Sequence, residues 1–312
     1  MRIFHRGWTH LRVLLLATLP FMAAAGANDP APSARNPGAT KMDRPRIALV
    51  LSGGGAKGSA HIGVLKVLEA KHIPVDIIVG TSMGSYVAGM YAMGLSAEEV
   101  ERTTLAIDWN KGYQDKVGRD ELSLRKKQQT EKYQLRTDIG VNGDQTQLPD
   151  GFFQGQSMAS LLRHATSNLP AQKSFDNLPI PYRAVATDME TVTPFVLDHG
   201  SLAKAMQASM SIPGALKPVE WDGRILADGG TVNNMPVDVA KAMGADVVIA
   251  VDISAKLRTR ESLKSGLAMI DQLTTYMTQV GTEKQKALLG PRDILLTPEF
   301  GNMGIADFAL MP

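Results

Sequence analysis

Apolar runs that alternate with helical patterns extend through the chain from Arg46 onward. The run RIALVLS predicts a buried strand, and HIGVLKVLEAK after it has apolar residues at helical spacing. The runs IIVG, YRAVATDM and ADVVIAVDI predict further strands, and MGSYVAGMYAMG, SLAKAMQAS and PVDVAKAMG predict helices between them. Strands alternating with helices indicate an α/β fold, in which helices cover both faces of a mostly parallel central sheet.

Two features mark individual helices more closely. Ser96 and Glu99 have the spacing of a capping box at the start of AEEVERTTLA. Near the end of the chain, apolar residues recur three and four positions apart: Leu263, Leu267, Ile270, Leu273, Met277 and Val280. We interpret this stripe as an amphipathic helix that packs on the domain and ends at Gly290 and Pro291, with a membrane-surface helix as the alternative.

The first residues differ in kind from the rest. A basic stretch, a short apolar stretch and small residues follow one another, as in a secretory signal peptide, predicted for residues 1–27. An uncleaved membrane anchor is the alternative. A flexible leader is expected over 28–45, the main domain over 46–254 with a polar insertion or lid at about 110–156, and a C-terminal helix and strand over 255–312. The protein is thus expected in the periplasm, at the outer membrane or outside the cell.

Composition narrows the classes of partner. The 312 residues carry a formal net charge of +2, so the chain lacks the strongly basic balance of a nucleic-acid binder. The chain has no cysteine, which excludes disulfides and an acylated lipoprotein. No His, Cys or carboxylate cluster has the spacing of metal ligands, and we expect neither a metal nor another cofactor.

The glycine-rich stretch SGGGAKGSAH joins the first predicted strand to its helix. Gly53, Gly55 and Gly58 match the dinucleotide-binding spacing, but the acidic residue expected at the end of the second strand is missing, because Asp76 precedes that strand. A P-loop also fails, since Lys57 comes before the last glycine. The remaining interpretation is an oxyanion hole built from backbone amides.

The stretch GTSMG follows the second strand and places Ser82 between two glycines. A Gly-x-Ser-x-Gly sequence between a strand and a helix can hold a nucleophilic serine on a strained turn, although a plain turn serine is the simpler interpretation. In a parallel sheet this turn and the glycine loop would leave the same edge side by side.

The sequence leaves two candidates for a base. His61 and His72 lie at the ends of the first predicted helix and are interpreted as structural. A triad of Ser82, Asp188 and His199 is one possibility. The other is Asp228 in ILADGGTVNNMP, where a buried carboxylate would have a raised pKa, and the alternative there is a hairpin turn.

Four stretches in order, SGGGAKG, GTSMG, ASMSIPGALKP and DGG, resemble the patatin-like phospholipase family over about residues 46–254. The resemblance implies a three-layer α/β/α fold and a Ser-Asp dyad without histidine. By position it implies that Ser82 is the nucleophile, that Asp228 is its base and that Gly53, Gly54 and Gly55 supply the oxyanion hole.

The closer likeness is to the bacterial exported branch of that family, some members of which carry a C-terminal outer-membrane β-barrel. It implies a phospholipase of A type that acts on a phospholipid or lysophospholipid at a membrane surface. A Ser-His-Asp esterase and a non-enzymatic lipid- or anion-binding effector are the alternatives.

Overall fold

The structure, a computed structural model, describes residues 44–114, 124, 140–142, 145–147, 154–257, 259–260, 263, 266–301 and 303–311. The predicted signal peptide, nearly all of the leader and most of the predicted insertion lie outside these residues. Within them, no helix combines the length and the apolar character that a membrane crossing requires.

Strands and helices alternate along much of the chain. The strands are β1 (Ile47–Leu51), β2 (Ile77–Thr81), β3 (Gly140–Asn142), β4 (Gln145–Gln147), β5 (Tyr182–Asp188), β6 (Thr193–Leu197), β7 (Val219–Trp221), β8 (Arg224–Asp228), β9 (Val247–Val251) and β10 (Ile294–Leu296). The helices are α1 (Ser59–Ala70), α2 (Met83–Ala92), α3 (Ala97–Ala106), α4 (Trp109–Gln114), α5 (Gln156–Ala165), α6 (Leu202–Met210), α7 (Val237–Ala242) and α8 (Gly266–Lys286).

Eight of the strands form one sheet in the order β10-β9-β1-β2-β5-β8-β7, with β6 paired to the other edge of β5. Strands β10, β9, β1, β2 and β5 are parallel neighbours, whereas β6, β7 and β8 pair antiparallel. The α/β class with a mostly parallel central sheet is therefore confirmed. Strands β3 and β4 form a separate antiparallel pair within the predicted insertion.

The sheet is covered on both faces, and alternation along β1 shows how. Leu49 and Leu51 belong to a core cluster that includes buried residues of α1, α2, α3, α5 and α6. Ala48 and Val50 belong to a second cluster that includes α7. Since successive side chains of a strand point to opposite faces, the fold has three layers, α/β/α.

The capping box predicted for α3 is present. The Ser96 hydroxyl accepts a hydrogen bond from the Glu99 amide at 3.3 Å, and the Ser96 amide donates to the Glu99 carboxylate at 2.9 Å. Both bonds satisfy amides that a helix N-terminus otherwise leaves unpaired. The capping box could be predicted because it depends only on two residues three positions apart.

The prediction that the apolar stripe of α8 packs on the domain is wrong at Leu273, Met277 and Val280. These side chains are 64%, 48% and 38% exposed. The reason is that the polar side of the helix has the better partners: Gln279 donates to the Ala255 carbonyl at 2.9 Å, and Lys286 forms an ion pair with Asp252, just after β9, at 2.8 Å. The side chains of Leu267 and Ile270 are not among those that the structure describes.

Candidate active site

Ser82 lies at the turn from β2 into α2, in a conformation that few side-chain-bearing residues adopt. Its φ of 53° and ψ of −127° place it in the strained region predicted for an elbow serine. Gly84 permits the turn, because a Cβ there would lie 2.2 Å from the Leu51 carbonyl oxygen. Gly80 faces the same constraint, with the Gly84 carbonyl oxygen 2.4 Å from its would-be Cβ. Both glycines of GTSMG therefore serve close backbone packing.

Asp228 ends β8 and contacts Ser82 directly. The Ser82 hydroxyl donates to Oδ2 at 2.6 Å, and the Gly230 amide donates to Oδ1 at 2.7 Å. Burial raises the pKa of Asp228 from 3.8 to about 6, although the bonds from Ser82 and Gly230 lower it. The carboxylate is thus a stronger base than a solvated aspartate while remaining largely ionised at neutral pH.

The register of β5 explains why the two side chains meet. On one edge of β5, Thr81 of β2 is opposite Val185, and Asp228 of β8 is opposite the next residue, Ala186. Strand β6 occupies the other edge over the same residues, so β2 and β8 share one edge and meet end to end. Ser82 and Asp228 therefore lie at the point where two strands of opposite direction run toward each other.

The glycine loop after β1 lies beside this junction, because β1 and β2 are parallel neighbours. The Gly53 amide donates to the Asn234 carbonyl at 3.2 Å, and the Ala56 amide donates to the Ile305 carbonyl at 2.8 Å. Among the described residues the amides of Gly54 and Gly55 have no acceptor. Of the three predicted glycines, these two have an N–H available for an oxyanion, while that of Gly53 is engaged in holding the loop.

Ser82 and Asp228 open into a cavity of about 550 Å³. Tyr113 and Phe308 line it, and their rings stack at a centroid distance of 5.6 Å. Threonines of α8 form another wall, and Ile305 lines it as well. A cavity of this size with an aromatic wall is suited to an apolar chain. Five methionines near the motifs in sequence belong to the packing of the core: Met83, Met90, Met93, Met206 and Met210.

The alternative triad is not brought together. Asp188 forms an ion pair with Arg224, and the His199 ring is hydrogen-bonded to Asp198 at 2.7 Å and Asp222 at 3.1 Å. His61 is fully buried, and burial lowers its pKa to about 4, so it is neutral and part of the core. In the described structure the hydroxyl of Ser82 has a carboxylate, not an imidazole, as its partner.

Sequence reasoning missed Ser209 and Asn234. The Ser209 hydroxyl accepts from the Ser82 amide at 2.8 Å and donates to the Val185 carbonyl at 2.6 Å. The Asn234 side chain donates to the Gly53 carbonyl at 3.2 Å. Both lie inside stretches that the sequence singled out, ASMSIPG and DGGTVNN, so the signal was present without a role attached to it.

A family profile described as "Patatin-like phospholipase" matches residues 49–241. The chain belongs to the patatin-like phospholipase family. Its first, second and fourth motifs lie in this patatin-like domain around Ser82 and Asp228, and the third, through Ser209, contacts the Ser82 backbone.

Relatives of this patatin-like domain occur in much longer proteins. "Patatin-like phospholipase domain-containing protein 6" of Mus musculus is 35% identical over 215 residues, which cover 68% of this chain and 14% of that protein. An "uncharacterized NTE family protein" of Mycobacterium bovis is 32% identical over 211 residues, 67% of this chain and 49% of that protein. The chain thus spans at most about half the length of these relatives.

The patatin-like fold is also similar to the crystal structure of VipD from Legionella pneumophila, with a TM-score of 0.41 and 15% identity. That similarity covers 86% of this chain and 64% of VipD.

Across the parts of this chain that the structure describes, no three His, Asp or Glu side chains are grouped so that they could hold a metal ion.

Proposed function

We propose that the chain is a lipid acyl hydrolase that cleaves fatty-acyl esters of phospholipids through a Ser82–Asp228 dyad. The observation that carries the proposal is the 2.6 Å hydrogen bond from the Ser82 hydroxyl to Asp228 at the cavity. Membership of the patatin-like phospholipase family supports a lipid ester as the substrate.

In the proposed first step, the Ser82 oxygen attacks the ester carbonyl carbon while Asp228 accepts the hydroxyl proton. The carbonyl oxygen becomes an oxyanion that accepts hydrogen bonds from the amides of Gly54 and Gly55. The intermediate collapses by breaking the bond to the alcohol oxygen, which takes the proton from Asp228. The products are a free lysophospholipid or other alcohol and an acyl-Ser82 ester.

In the second step, a water molecule attacks the acyl-Ser82 carbonyl and gives its proton to Asp228. The bond to the Ser82 oxygen then breaks, the proton returns to that oxygen, and the fatty acid leaves. The cavity wall of Tyr113 and Phe308 supports an apolar acyl chain as the group held during both steps.

The test is fatty-acid release from mixed phospholipid vesicles without added metal. The parent chain is expected to release fatty acid, and Ser82→Ala and Asp228→Asn to lose about 10³-fold or more of the rate. Release by Ser82→Ala at the parent rate would contradict the proposal, and an unaffected rate in EDTA is expected.

Asp188→Asn is the matched control for Asp228→Asn, because both aspartates are buried and lie at the ends of paired strands. Asp188→Asn and His199→Ala are expected to retain most of the activity. Loss of activity in both, with Asp228→Asn active, would favour the Ser-His-Asp esterase instead.

We also propose that the chain belongs to an exported branch of the family, delivered across the inner membrane by the signal peptide predicted for residues 1–27. N-terminal sequencing of the protein from a periplasmic fraction is expected to begin after Ala25 or Ala27. A protein that retains Met1 in the cytoplasmic fraction would contradict export.

A further inference from the structure

Helix α8 is amphipathic, but its apolar face is exposed and its polar face is turned to the protein, the reverse of a helix that packs on a core. Five large apolar side chains form one stripe and are between 38% and 64% exposed: Met269, Leu273, Tyr276, Met277 and Val280. At 100° per residue these positions fall within about 100° of one another on the helix. We refer to this stripe as the outer face of α8.

The opposite side of α8 is polar and faces the protein. Thr274, Thr275 and Thr278 line the cavity that contains Ser82. Thr282 is 2% exposed, and Gln285 accepts a hydrogen bond from the Asp238 amide at 3.0 Å. The helix is therefore held on the domain by its polar side, and the outer face is left without a protein partner in the described structure.

Scattered exposed apolar residues are ordinary, whereas a continuous stripe marks an interaction surface. Other exposed apolar side chains belong to segments that line the same cavity as α8. Leu257, two residues after the cavity-lining Ala255, is 44% exposed, and Ile305 lines the cavity while remaining 36% exposed. Three segments that wall the cavity thus each carry apolar side chains turned to solvent.

Several cations near α8 suit an anionic surface, and the exposed carboxylate of Glu283 on the helix is paired with Lys286 at 2.8 Å. Lys256 and Arg260 precede the helix, are exposed, and have no carboxylate partner among the residues described. Lys284 follows the stripe, and it too has no carboxylate partner among the described residues. Tyr276, in the middle of the stripe, combines an apolar ring with a polar hydroxyl and is exposed, and tyrosine is enriched at membrane–water interfaces.

We propose that the outer face of α8 docks on the surface of an anionic phospholipid bilayer. The proposal rests on the lipid acyl hydrolase function above and names the surface through which that function would reach its substrate. With the apolar stripe at the boundary between the headgroups and the acyl chains, the cavity lies on the other side of the same helix, about one helix diameter of 10 Å away. Ile305 lines the cavity and is partly exposed, so we expect an acyl chain to enter the cavity there.

The test uses the absence of cysteine from the chain. Leu273→Cys, in the full chain with Ser82→Ala to prevent hydrolysis, is labelled with an environment-sensitive fluorophore and mixed with vesicles of phosphatidylethanolamine and phosphatidylglycerol. Leu105→Cys is the matched control, because Leu105 is 48% exposed on α3, which does not line the cavity. The label at 273 is expected to shift its emission to the blue and to be quenched by brominated lipids, and the label at 105 to do neither.

Equal behaviour of the two labels, whether both shift or neither does, would overturn the proposal. A shift at 273 that grows with protein concentration without vesicles would also overturn it and would indicate a second copy of the chain as the partner. In parallel, Leu273→Asp is expected to weaken vesicle binding by about tenfold or more, and Leu105→Asp to leave it unchanged. Because Ser82→Ala binds without turnover, this result is independent of whether hydrolysis is observed.

Discussion

At the scale of single residues, the proposed nucleophile Ser82 depends on a neighbouring side chain for its orientation. Ser209 accepts a hydrogen bond from the Ser82 amide and donates its own proton to the Val185 carbonyl, which links the strained turn to β5. Strain of this kind persists only where the surroundings hold it in place. Ser209 is therefore a positioning residue for the proposed reaction.

Ser209→Ala is expected to lower kcat by about 10–100-fold with little change in KM, because Ser82 loses its fixed orientation while the cavity keeps its shape. Ser211→Ala is the matched control. Ser211 is equally buried, and within the part of the chain that the structure describes its hydroxyl bonds only to the Gln207 carbonyl, at 2.8 Å. Steady-state kinetics of both variants check the prediction, and an equal loss of kcat in the two would show that the effect is general destabilisation.

The pKa of Asp228 sets the pH at which the proposed base is available. Since burial raises that pKa to about 6, the carboxylate is ionised above this value and protonated below it. The initial rate on vesicles is expected to fall about tenfold per pH unit below about pH 6 and to be level above it. A rate that stays constant down to pH 4.5 would mean that Asp228 is not the base.

At the scale of elements, the turn between β2 and α2 is fixed by backbone contact. Gly84→Ala would place a Cβ 2.2 Å from the Leu51 carbonyl oxygen, so we expect it to lower the free energy of unfolding by about 3 kcal/mol or more. Gly63→Ala in α1 is the matched control: a Cβ there meets no atom within 4 Å, and stabilisation of about 0.5–1 kcal/mol is expected. Urea unfolding of the two variants measures both values.

The elements differ in how far the sequence could predict them. Buried runs such as that of β1 and the capping box of α3 follow from local residues, and both were predicted at nearly the observed positions. The orientation of α8 could not be predicted from its period. Periodicity predicts the apolar stripe but not which side of the helix faces the protein. That orientation depends on Gln279 and Lys286 and on their partners in other parts of the chain.

At the scale of the whole molecule, the site is a consequence of sheet topology. Local sequence marked Ser82 and Asp228 as candidates, but nothing local indicated that β8 would run antiparallel and meet β2 on one edge of β5. The residues left two bases open for Ser82, Asp228 or His199 with Asp188, and the resemblance of four ordered motifs to a family favoured Asp228 in advance. The same topology takes Asp228 out of water, and that has a consequence for the stability of the entire fold.

An aspartate whose pKa is higher in the folded chain than in the unfolded chain binds more protons when folded. The usual pKa of an aspartate is 3.8, and that of Asp228 in the folded chain is about 6. As the pH rises between these two values, Asp228 therefore lowers the free energy of unfolding by an increasing amount. At 1.36 kcal/mol per pKa unit, the cost reaches roughly 3 kcal/mol above pH 6. The proposed base therefore destabilises the molecule under the conditions in which it would work.

Asp228→Asn keeps the shape of the side chain and removes its charge. We expect it to raise the free energy of unfolding by about 1–3 kcal/mol at pH 8 and to change it little near pH 4, as measured by urea unfolding at both values. Asp188→Asn is expected to lower the free energy of unfolding at pH 8. Burial raises the pKa of Asp188, but the hydrogen bond from Arg224 and its charge lower it below its usual value, so the ionised form of Asp188 stabilises the fold. If Asp228→Asn were less stable than the parent at pH 8, the carboxylate would be contributing to folding, and its burial could not be explained as a cost accepted for a reactive base.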